Sequence, residues 1–452
     1  MPWFRVDDNR YERALGENEI FIKILADAAR PLNREHWSIN VVATVTPMGS
    51  IAWEDLTSLF REAWKGLRFK HPTIAAYVMD ETRYVYDVPD KTALTKWVTE
   101  TFRVVDDKTV DEVIASTTLN PYATMTYFPQ TCQLLGHTQH WRTDGVGGFI
   151  LMDDFLDLAC QSVPVDTSSL PWGEETSRLA PSIEEAAGLL ATSPSEEDKK
   201  LAQQTVASFG HTIGAIGIAS HAAADTIPGG TRISNLRFSE QETNTVVKAC
   251  KEKHISVTAA VHASVAGANY LLAAPEDRKK HYTSTIRFSF RPFLPYPYSG
   301  REYASTIFTS GWMFPVSAKS SWGEREKAYH NEYRKGLTPE FISAHREYAK
   351  GLCNLLRSMP AGLPSPTDVD ISSLGIVEKM LARERGSPER EIRVNQVSGG
   401  LEMTNRQCVC HVWTFRNELC LNLVYNEAFH EKATMDAFVR SIKDLLLQEL
   451  SV

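Results

Sequence analysis

The stretch His140-Trp-Arg-Thr-Asp144-Gly145-Val-Gly-Gly148 is the most informative part of this 452-residue chain. An apolar run with β-branched residues precedes it at 124–135, and a second apolar segment follows it at 149–160. β-branched residues favour strands, and a long apolar segment after a glycine turn is typical of a buried helix. The pattern therefore predicts that His140 lies at the end of a strand, in a tight turn that leads into a helix.

The residue types in this turn suit proton transfer. Histidine titrates near neutral pH, so its uncharged ring can accept a proton as a general base. The glycines at 145, 147 and 148 have two interpretations. They let a ligand pass close to the backbone at a helix N-terminus, which favours negative charge, or they simply form a tight turn.

Length and composition restrict the class of protein. A chain of 452 residues is too long for one ordinary core and predicts two lobes. The stretch 162–208 is rich in Ser, Pro, Glu and Thr, and part of it is expected to cross between the lobes. We expect an N-terminal lobe at 1–186, a crossover linker at 187–228 and a C-terminal lobe at 229–452. The formal net charge of −8 argues against binding nucleic acid by bulk charge.

Two further observations indicate the compartment. The sequence has neither a long apolar span nor the N-terminal pattern of a signal peptide, so no membrane association is predicted. The seven scattered cysteines indicate reduced thiols in a cytoplasmic protein.

Apolar periodicity predicts a mixture of helices and strands in both halves. The helices are predicted at 19–29, 53–70, 91–102, 196–208, 239–253, 257–273, 321–350 and 432–450. The strands are predicted at 38–45, 73–78, 83–88, 231–238, 284–290, 393–397, 408–415 and 418–425, and 306–315 is a further apolar, aromatic segment. In the last helix, one face carries Met435, Phe438, Ile442 and Leu446.

The His140-x-x-x-Asp144-Gly145 pattern resembles the HxxxDG motif of the chloramphenicol-acetyltransferase-like superfamily. That superfamily includes BAHD acyltransferases, peptide-synthetase condensation domains and fungal alcohol O-acetyltransferases. Four other segments resemble it as well: 67–74, 145–158, 284–295 and 408–450. Within the superfamily the chain is most similar to fungal secondary-metabolite acetyltransferases of the trichothecene 15-O-acetyltransferase type.

Two departures separate the chain from other branches. The BAHD motif Asp-Phe-Gly-Trp-Gly is absent, and Ser310-Gly311-Trp312 matches it only in part and too early in the chain. Condensation domains usually carry two adjacent histidines, whereas Gln139 precedes His140 here. The plant-type BAHD assignment and the peptide-bond-forming assignment are both weakened.

The resemblance implies an α/β fold of two lobes, with mixed sheets and an active-site tunnel between the lobes. It implies direct transfer of an acyl group, most simply acetyl, from acyl-CoA to a hydroxyl of a natural product. His140 would be the general base, acyl-CoA a co-substrate, and no cofactor would be bound. Asp144 would pair with an arginine and support the base; the matching position is Arg287, and Arg142 is the alternative on sequence grounds.

Other candidate residues follow with less support. Thr309, Ser310, Trp312 and Ser398 are candidates for oxyanion donors or pocket lining, and the aromatic residues of 288–312 line the acceptor pocket or form plain core. The basic clusters 278–281 and 248–254 either hold CoA phosphates or are solvated helix surfaces. A metal site at Cys408-Val-Cys410-His411 or at His137 and His140 is not expected, because strand alternation separates the ligands.

Two alternative functions stay open. The same fold could use a carrier-protein thioester for condensation or cyclisation, or it could bind a small molecule without catalysis. The partners in every case are small molecules, and a two-lobed chain that completes its own site is expected to act as a monomer.

Overall fold

The fold is described by a computed structural model that covers residues 2–49, 56–161, 166–220, 222–223, 225–360 and 367–452. Within these ranges the chain forms sixteen strands and twelve α-helices. The strands are β1 Phe4–Arg5, β2 Arg10–Ala14, β3 Ile39–Met48, β4 Tyr77–Met79, β5 Arg83–Asp87, β6 Phe102–Val104, β7 Thr124–Phe128, β8 Gln133–Thr138, β9 Thr231–Arg237, β10 Tyr282–Ser289, β11 Thr309–Val316, β12 Val369–Ile376, β13 Glu384–Ser387, β14 Arg390–Leu401, β15 Cys408–Phe415 and β16 Glu418–Asn426. The helices are α1 Glu17–Asp27, α2 Leu56–Lys70, α3 Lys91–Thr101, α4 Val110–Ala115, α5 Gly145–Ala159, α6 Ile183–Ala186, α7 Glu196–Ala207, α8 Glu240–Glu252, α9 Val257–Leu272, α10 Trp322–Lys335, α11 Pro339–Ser358 and α12 Lys432–Leu450.

A six-stranded mixed sheet forms the frame of the first half, in the order β13-β14-β3-β8-β7-β6. Helices α2 and α5 contact each other, and their buried apolar side chains share one core with β3. Two strands of this sheet come from the far end of the chain. β14 pairs antiparallel with β3 along its length, from Glu391 opposite Met48 to Leu401 opposite Ile39. The sheet therefore joins residues from both sides of the predicted crossover at 187–228.

A four-stranded sheet in the order β12-β15-β16-β9 forms the frame of the second half. β12 and β15 are parallel, and the other two pairs are antiparallel. Helices α8, α9 and α12 contribute the apolar side chains of the core on this sheet. The predicted apolar face of α12 is buried there, including Met435, Phe438, Ile442 and Leu446. β10 and β11 form a separate antiparallel pair in which Arg287 lies opposite Gly311.

Most predicted elements are present, and the mixed α/β architecture is confirmed. The single helix predicted at 321–350 is wrong, because the chain forms α10 and α11 instead. Gly336 ends the first helix with a φ of 63°, and Thr338 caps the second, which begins at Pro339. Proline suits the first position of a helix and disrupts its interior, so the break has a local cause.

Three other predictions need adjustment. The strand predicted at 73–78 begins instead as a short 3-10 turn, Pro72–Ala75, and continues as β4. The start of the helix predicted at 53–70 and residues 162–165 of the stretch rich in Ser, Pro, Glu and Thr lie outside the described residues. The rest of that stretch holds α6 and α7, and α7, which lies in the predicted crossover at 187–228, packs against α11.

In the described part of the chain, no helix alone has the length and apolar character needed to cross a membrane. Helices α8 and α9 reach those criteria only as a pair, bent by 102° at their junction. Most residues of α9 from Ala259 to Asn269 are buried in the core of the second half.

Candidate active site

His140 lies two residues beyond the end of β8, and α5 begins five residues after it at Gly145. Asp144 is the N-cap of that helix: its backbone is extended, and its Oδ1 accepts a hydrogen bond from the Gly147 amide at 2.8 Å. A carboxylate at this position satisfies an otherwise unpaired amide and complements the positive end of the helix. The predicted strand, turn and helix around the motif are thus present.

The imidazole of His140 has a defined tautomer. Its Nδ1 lies 3.0 Å from the carbonyl oxygen of Thr143. Because a carbonyl oxygen can only accept, Nδ1 must carry the proton, and Nε2 is left with its lone pair. Burial lowers the pKa of this ring, Asp144 and the Thr143 carbonyl act in the opposite direction, and the charge of Arg287 lowers it further. The ring is therefore held uncharged, in the state that a base requires.

The carboxylate of Asp144 contacts groups other than the imidazole. Its Oδ2 accepts from Arg291 Nη1 at 2.6 Å and from the Phe308 amide at 2.8 Å. Only 3% of Asp144 and 6% of Arg291 are exposed, so the ion pair is buried. Asp144 therefore connects the turn of the first half to the segment that links β10 and β11.

The pairing of Asp144 with Arg287 that the resemblance implied is wrong, and so is the alternative with Arg142. The predicted segment contains two arginines, and the one after the strand end, Arg291, reaches the aspartate. Arg287 is still within β10, where it binds Asp370 and donates to the Ile371 carbonyl at 2.7 Å. Arg142 is buried beneath the turn, where it donates to the carbonyls of Ala76 and Pro121.

The start of α5 is packed directly against the second half of the chain. The Thr143 hydroxyl donates to the Ala304 carbonyl at 2.6 Å. A Cβ on Gly147 would lie 2.1 Å from that same carbonyl oxygen, which no side chain could tolerate. Gly147 is thus required by close backbone contact at this junction.

A cavity of about 280 Å³ lies beside His140 and is lined by both halves of the chain. The first half contributes residues from α1, β3, the motif turn and α5, among them Ile22, Ile39, Asn40, His140, Val146 and Phe149. The second half contributes residues from β10, β11, β12, β14 and β15, among them Arg287, Phe288, Thr309, Leu374, Gly400 and His411. The base therefore faces a space that neither half encloses alone.

His411 also lines the cavity, although in the sequence it was considered only as a possible metal ligand, a role that was not expected. It is 5% exposed, and its Nε2 has no hydrogen-bond partner among the described residues. Burial, Arg287 and His140 lower its pKa to about 3, so the ring is uncharged. Its neighbours Cys408 and Cys410 belong to the core on the other face of β15. That alternation was readable from the sequence, but the position of β15 beside the motif was not.

Comparisons with known proteins support an assignment. No protein-family model matches the chain. It is 39% identical to acetyltransferase pigO of Monascus ruber over 455 aligned residues, which cover 100% of this chain and 99% of that protein. It is 30% identical to O-acetyltransferase pigM of the same fungus, covering 100% of this chain and 88% of that protein.

The chain belongs to this family of fungal acetyltransferases. The coarse prediction of an acyltransferase is thereby confirmed, as is the resemblance to fungal secondary-metabolite acetyltransferases. The trichothecene 15-O-acetyltransferase TRI3 of Fusarium sporotrichioides shares the fold, with a TM-score of 0.84, 15% identity and coverage of 98% of this chain and 96% of that one. The condensation domain of the monacolin K polyketide synthase MokA shares it with a TM-score of 0.63, 11% identity and coverage of 100% and 98%.

The candidate oxyanion residues of this family member fall into two groups. Thr309 and Ser310 line the cavity, although the Thr309 hydroxyl donates to the Phe288 carbonyl at 3.0 Å. Trp312 does not line it: its indole packs on Phe341 and donates to Glu332 at 2.8 Å. Its partner in β10, Ile286, is not a cavity residue either, whereas Thr285 and Arg287 on either side of it are, because side chains alternate between the two faces of a strand.

Ser398 is also outside the cavity. Its hydroxyl accepts from Asn422 Nδ2 at 2.7 Å, and the two glycines that follow it line the cavity instead. Gly145 lines the cavity as well.

Only part of the predicted aromatic segment lines the cavity, and the predicted basic clusters are placed beside acidic residues. Phe288 lines the cavity, while Phe290 and Phe308 are buried in a core cluster and Tyr296 is exposed. Lys248 and Lys280 lie near acidic neighbours of their own segments, at 3.9 and 2.5 Å. Their role in holding CoA phosphates stays a prediction. Among the described residues, no group of three His, Cys, Asp or Glu side chains is arranged to hold a metal ion.

Proposed function

We propose that this acetyltransferase moves an acetyl group from acetyl-CoA to a hydroxyl of a natural-product acceptor, with His140 as the general base. The proposal is carried by one observation: the hydrogen bond from His140 Nδ1 to the Thr143 carbonyl directs the lone pair of the ring to Nε2, beside a cavity that both halves line. Membership of the pigO and pigM family supports the choice of acetyl and of a small-molecule acceptor.

In the proposed reaction, Nε2 of His140 removes the proton of the acceptor hydroxyl as its oxygen attacks the thioester carbonyl carbon. The carbon–oxygen bond forms and a tetrahedral oxyanion results. When the oxyanion collapses, the carbon–sulfur bond breaks and the imidazolium returns its proton to the CoA thiolate. The products are the acetyl ester and free CoA, and the enzyme is unchanged.

The chain offers groups that could stabilise the oxyanion. Arg287 lines the cavity with a guanidinium that pairs with Asp370. The uncharged ring of His411 and the hydroxyl of Ser310 line the same cavity. Donors that are fixed in place before the reaction stabilise developing charge at little reorganisation cost.

Asp144 is proposed to support the base and not to exchange protons. Its two oxygens are engaged by Gly147, Arg291 and Phe308, so it fixes the backbone from which His140 projects. This arrangement differs from a catalytic triad, in which the carboxylate binds the imidazole itself.

The test is CoA release from acetyl-CoA in the presence of a host metabolite extract, with mass spectrometry to identify the acetylated product. Wild-type protein should release CoA and yield a product that is 42 Da heavier than its acceptor, while His140→Ala should lose about 10²–10⁴-fold in rate. Equal turnover by both proteins would remove His140 from the mechanism. Turnover with an acetylated carrier protein but not with acetyl-CoA would favour the condensation-type alternative.

A further inference from the structure

Trp37 occupies an unusual backbone conformation at the wall of the cavity. Its φ is 66°, in the left-handed region that bulky side chains avoid. Other non-glycine residues with positive φ include typical turn residues, such as Asn33 and Asn417. Trp37 instead places an aromatic ring against the cavity that His140 also lines.

The strain at Trp37 is imposed by hydrogen bonds around it. Residues 35–38 form a turn in which the Ser38 amide donates to the Glu35 carbonyl at 3.5 Å. Trp37 is the third residue of this turn, a position that glycine fills when φ is positive. On either side of that position, the Trp37 amide donates to the Glu402 carbonyl at 2.7 Å and the Glu402 amide donates to the Ser38 carbonyl at 2.8 Å.

A second feature is also unfavourable for stability. The indole Nε1 of Trp37 is buried and has no hydrogen-bond partner among the described residues. A buried donor without a partner destabilises the fold. Residues with this kind of backbone strain are found at ligand-binding sites, where the surrounding structure holds the strained backbone in place. A glycine would avoid both the strain and the unpaired donor, so the tryptophan must be explained by what its side chain contacts, which are the core of the first half and the cavity.

The turn is coupled to the motif of the active site. Glu35 Oε1 accepts a hydrogen bond from Trp141 Nε1 at 2.8 Å, and Trp141 directly follows His140. The ring of His36 stacks on one face of Trp37, with centroids 5.4 Å apart. The indole is therefore held in a defined position relative to the base.

The chemistry around Trp37 favours the acceptor over the CoA donor. Ile22, Ile39 and Leu401 line the same cavity with apolar side chains. Arg287, the cation that lines the cavity, is paired with Asp370. Arg34, the cation nearest to Trp37 in sequence, is engaged by Glu402 at 2.6 Å and by the carbonyl of Gly229. Phosphates need available cations, whereas a flat apolar ring packs well against an indole face.

We propose that Trp37 is the acceptor-recognition residue of this enzyme: its indole forms a flat wall against which a planar, conjugated acceptor alcohol packs. The proposal deepens the proposed function and rests on it for the identity of the acceptor side. It predicts that planar alcohols bind better than saturated alcohols of the same size.

The experiment measures equilibrium binding of two probes by calorimetry, 2-naphthalenemethanol and its fully saturated decahydro analogue. Wild-type protein should bind the planar probe about tenfold more tightly. Trp37→Leu should reduce that preference to less than about threefold, while Trp37→Phe should keep most of it, because a flat ring remains. The affinity for acetyl-CoA should change less than about twofold in both variants.

The matched control is Trp322→Leu, since that indole donates to the Ser264 hydroxyl at 3.0 Å and is not among the cavity residues. It should keep the wild-type preference. Melting temperature separates recognition from filling of space: Trp37→Gly should melt at or above Trp37→Leu, because glycine takes the positive φ without strain. A residue that only filled space would give the reverse order.

Several results would overturn the inference. These are equal binding of the two probes by wild-type protein, no binding of the planar probe up to its solubility, or an unchanged preference in Trp37→Leu. Loss of acetyl-CoA affinity in Trp37→Leu would assign the indole to the donor side instead. The His140→Ala variant should show the full binding preference although its turnover is strongly reduced, so a failure of the proposed reaction and a failure of this inference are distinguishable.

Discussion

The buried pair of Asp144 and Arg291 allows a quantitative test of how the base is supported. In Asp144→Ala, Arg291 loses the carboxylate that it pairs with. Its side chain then keeps the carbonyl of Thr306, at 3.4 Å, as a hydrogen-bond acceptor. An uncompensated buried charge costs about 3–5 kcal/mol, and the lost helix cap adds about 1 kcal/mol. Because folded proteins are stable by only about 5–15 kcal/mol, the variant should lose about a quarter or more of its unfolding free energy.

The assay is urea unfolding of Asp144→Ala, Arg291→Met and the double variant, with Asp144→Asn as a milder change that keeps an oxygen for the Phe308 amide. The unfolding free energies form a double-mutant cycle. We expect a coupling energy of at least about 1.5 kcal/mol between Asp144 and Arg291. The same cycle with Arg287→Met is the matched control and should give coupling within about 0.5 kcal/mol, because Arg287 binds Asp370.

Activity should fall together with stability in this series. The carboxylate holds the first turn of α5 and the Phe308 segment, so its loss releases the backbone that positions His140. A small displacement of a catalytic group is enough to cost about 10²-fold in rate. Wild-type unfolding and wild-type turnover in Asp144→Ala would refute this reasoning, and so would equal coupling of Asp144 to both arginines.

Three further predictions follow from the same site. The activity of the wild-type enzyme should fall on the acidic side only below pH 6.5, because burial lowers the pKa of His140 and the base is lost when the pH falls through that pKa. The pH profile of kcat/KM measures this fall, and a loss of activity that begins above pH 6.5 would contradict the prediction. In urea unfolding, the free energy of unfolding of His411→Leu should be at most about 1 kcal/mol below that of wild type, because Nε2 of His411 has no hydrogen-bond partner to lose. A larger loss would contradict this and indicate that the ring makes a stabilising contact. Gly147→Ala should unfold at a lower urea concentration and lose turnover, because the new methyl group would lie 2.1 Å from the Ala304 carbonyl oxygen. The matched control is Gly323→Ala, since there is open space around Gly323.

Local signals in the sequence predicted the local structure around the motif. The glycine turn and the apolar segments were enough to place His140 between a strand and a helix, and Asp144 is the N-cap that such a turn requires. Gly336 and Pro339 are local signals for the break between the two helices, but the charged helical pattern on both sides of them favoured one continuous helix. Periodicity reports which residues favour a helix and is less sensitive to where one helix ends and the next begins.

Contacts between distant segments could not be predicted in the same way. The choice between Arg287 and Arg291 depends on where β10 ends relative to Asp144, and their spacing of four residues gives no preference. The place of His411 beside His140 depends on β15 lying next to β12 in a parallel arrangement, which pairs segments about 40 residues apart. Trp37 could not be identified because a positive φ is a property of the folded turn and not of the residue type.

The supports of the base come from both halves of the chain, and this explains why the motif alone is a weak signal. The tautomer of His140 is set locally by the Thr143 carbonyl, so any chain with this turn could hold an uncharged imidazole. The turn itself is held by Ala304, Arg291 and Phe308, which lie about 150 residues away. A mutation of Arg291 should therefore reduce turnover without contacting substrate, and its effect should disappear in a protein that already lacks Asp144, since the connection it acts through is gone.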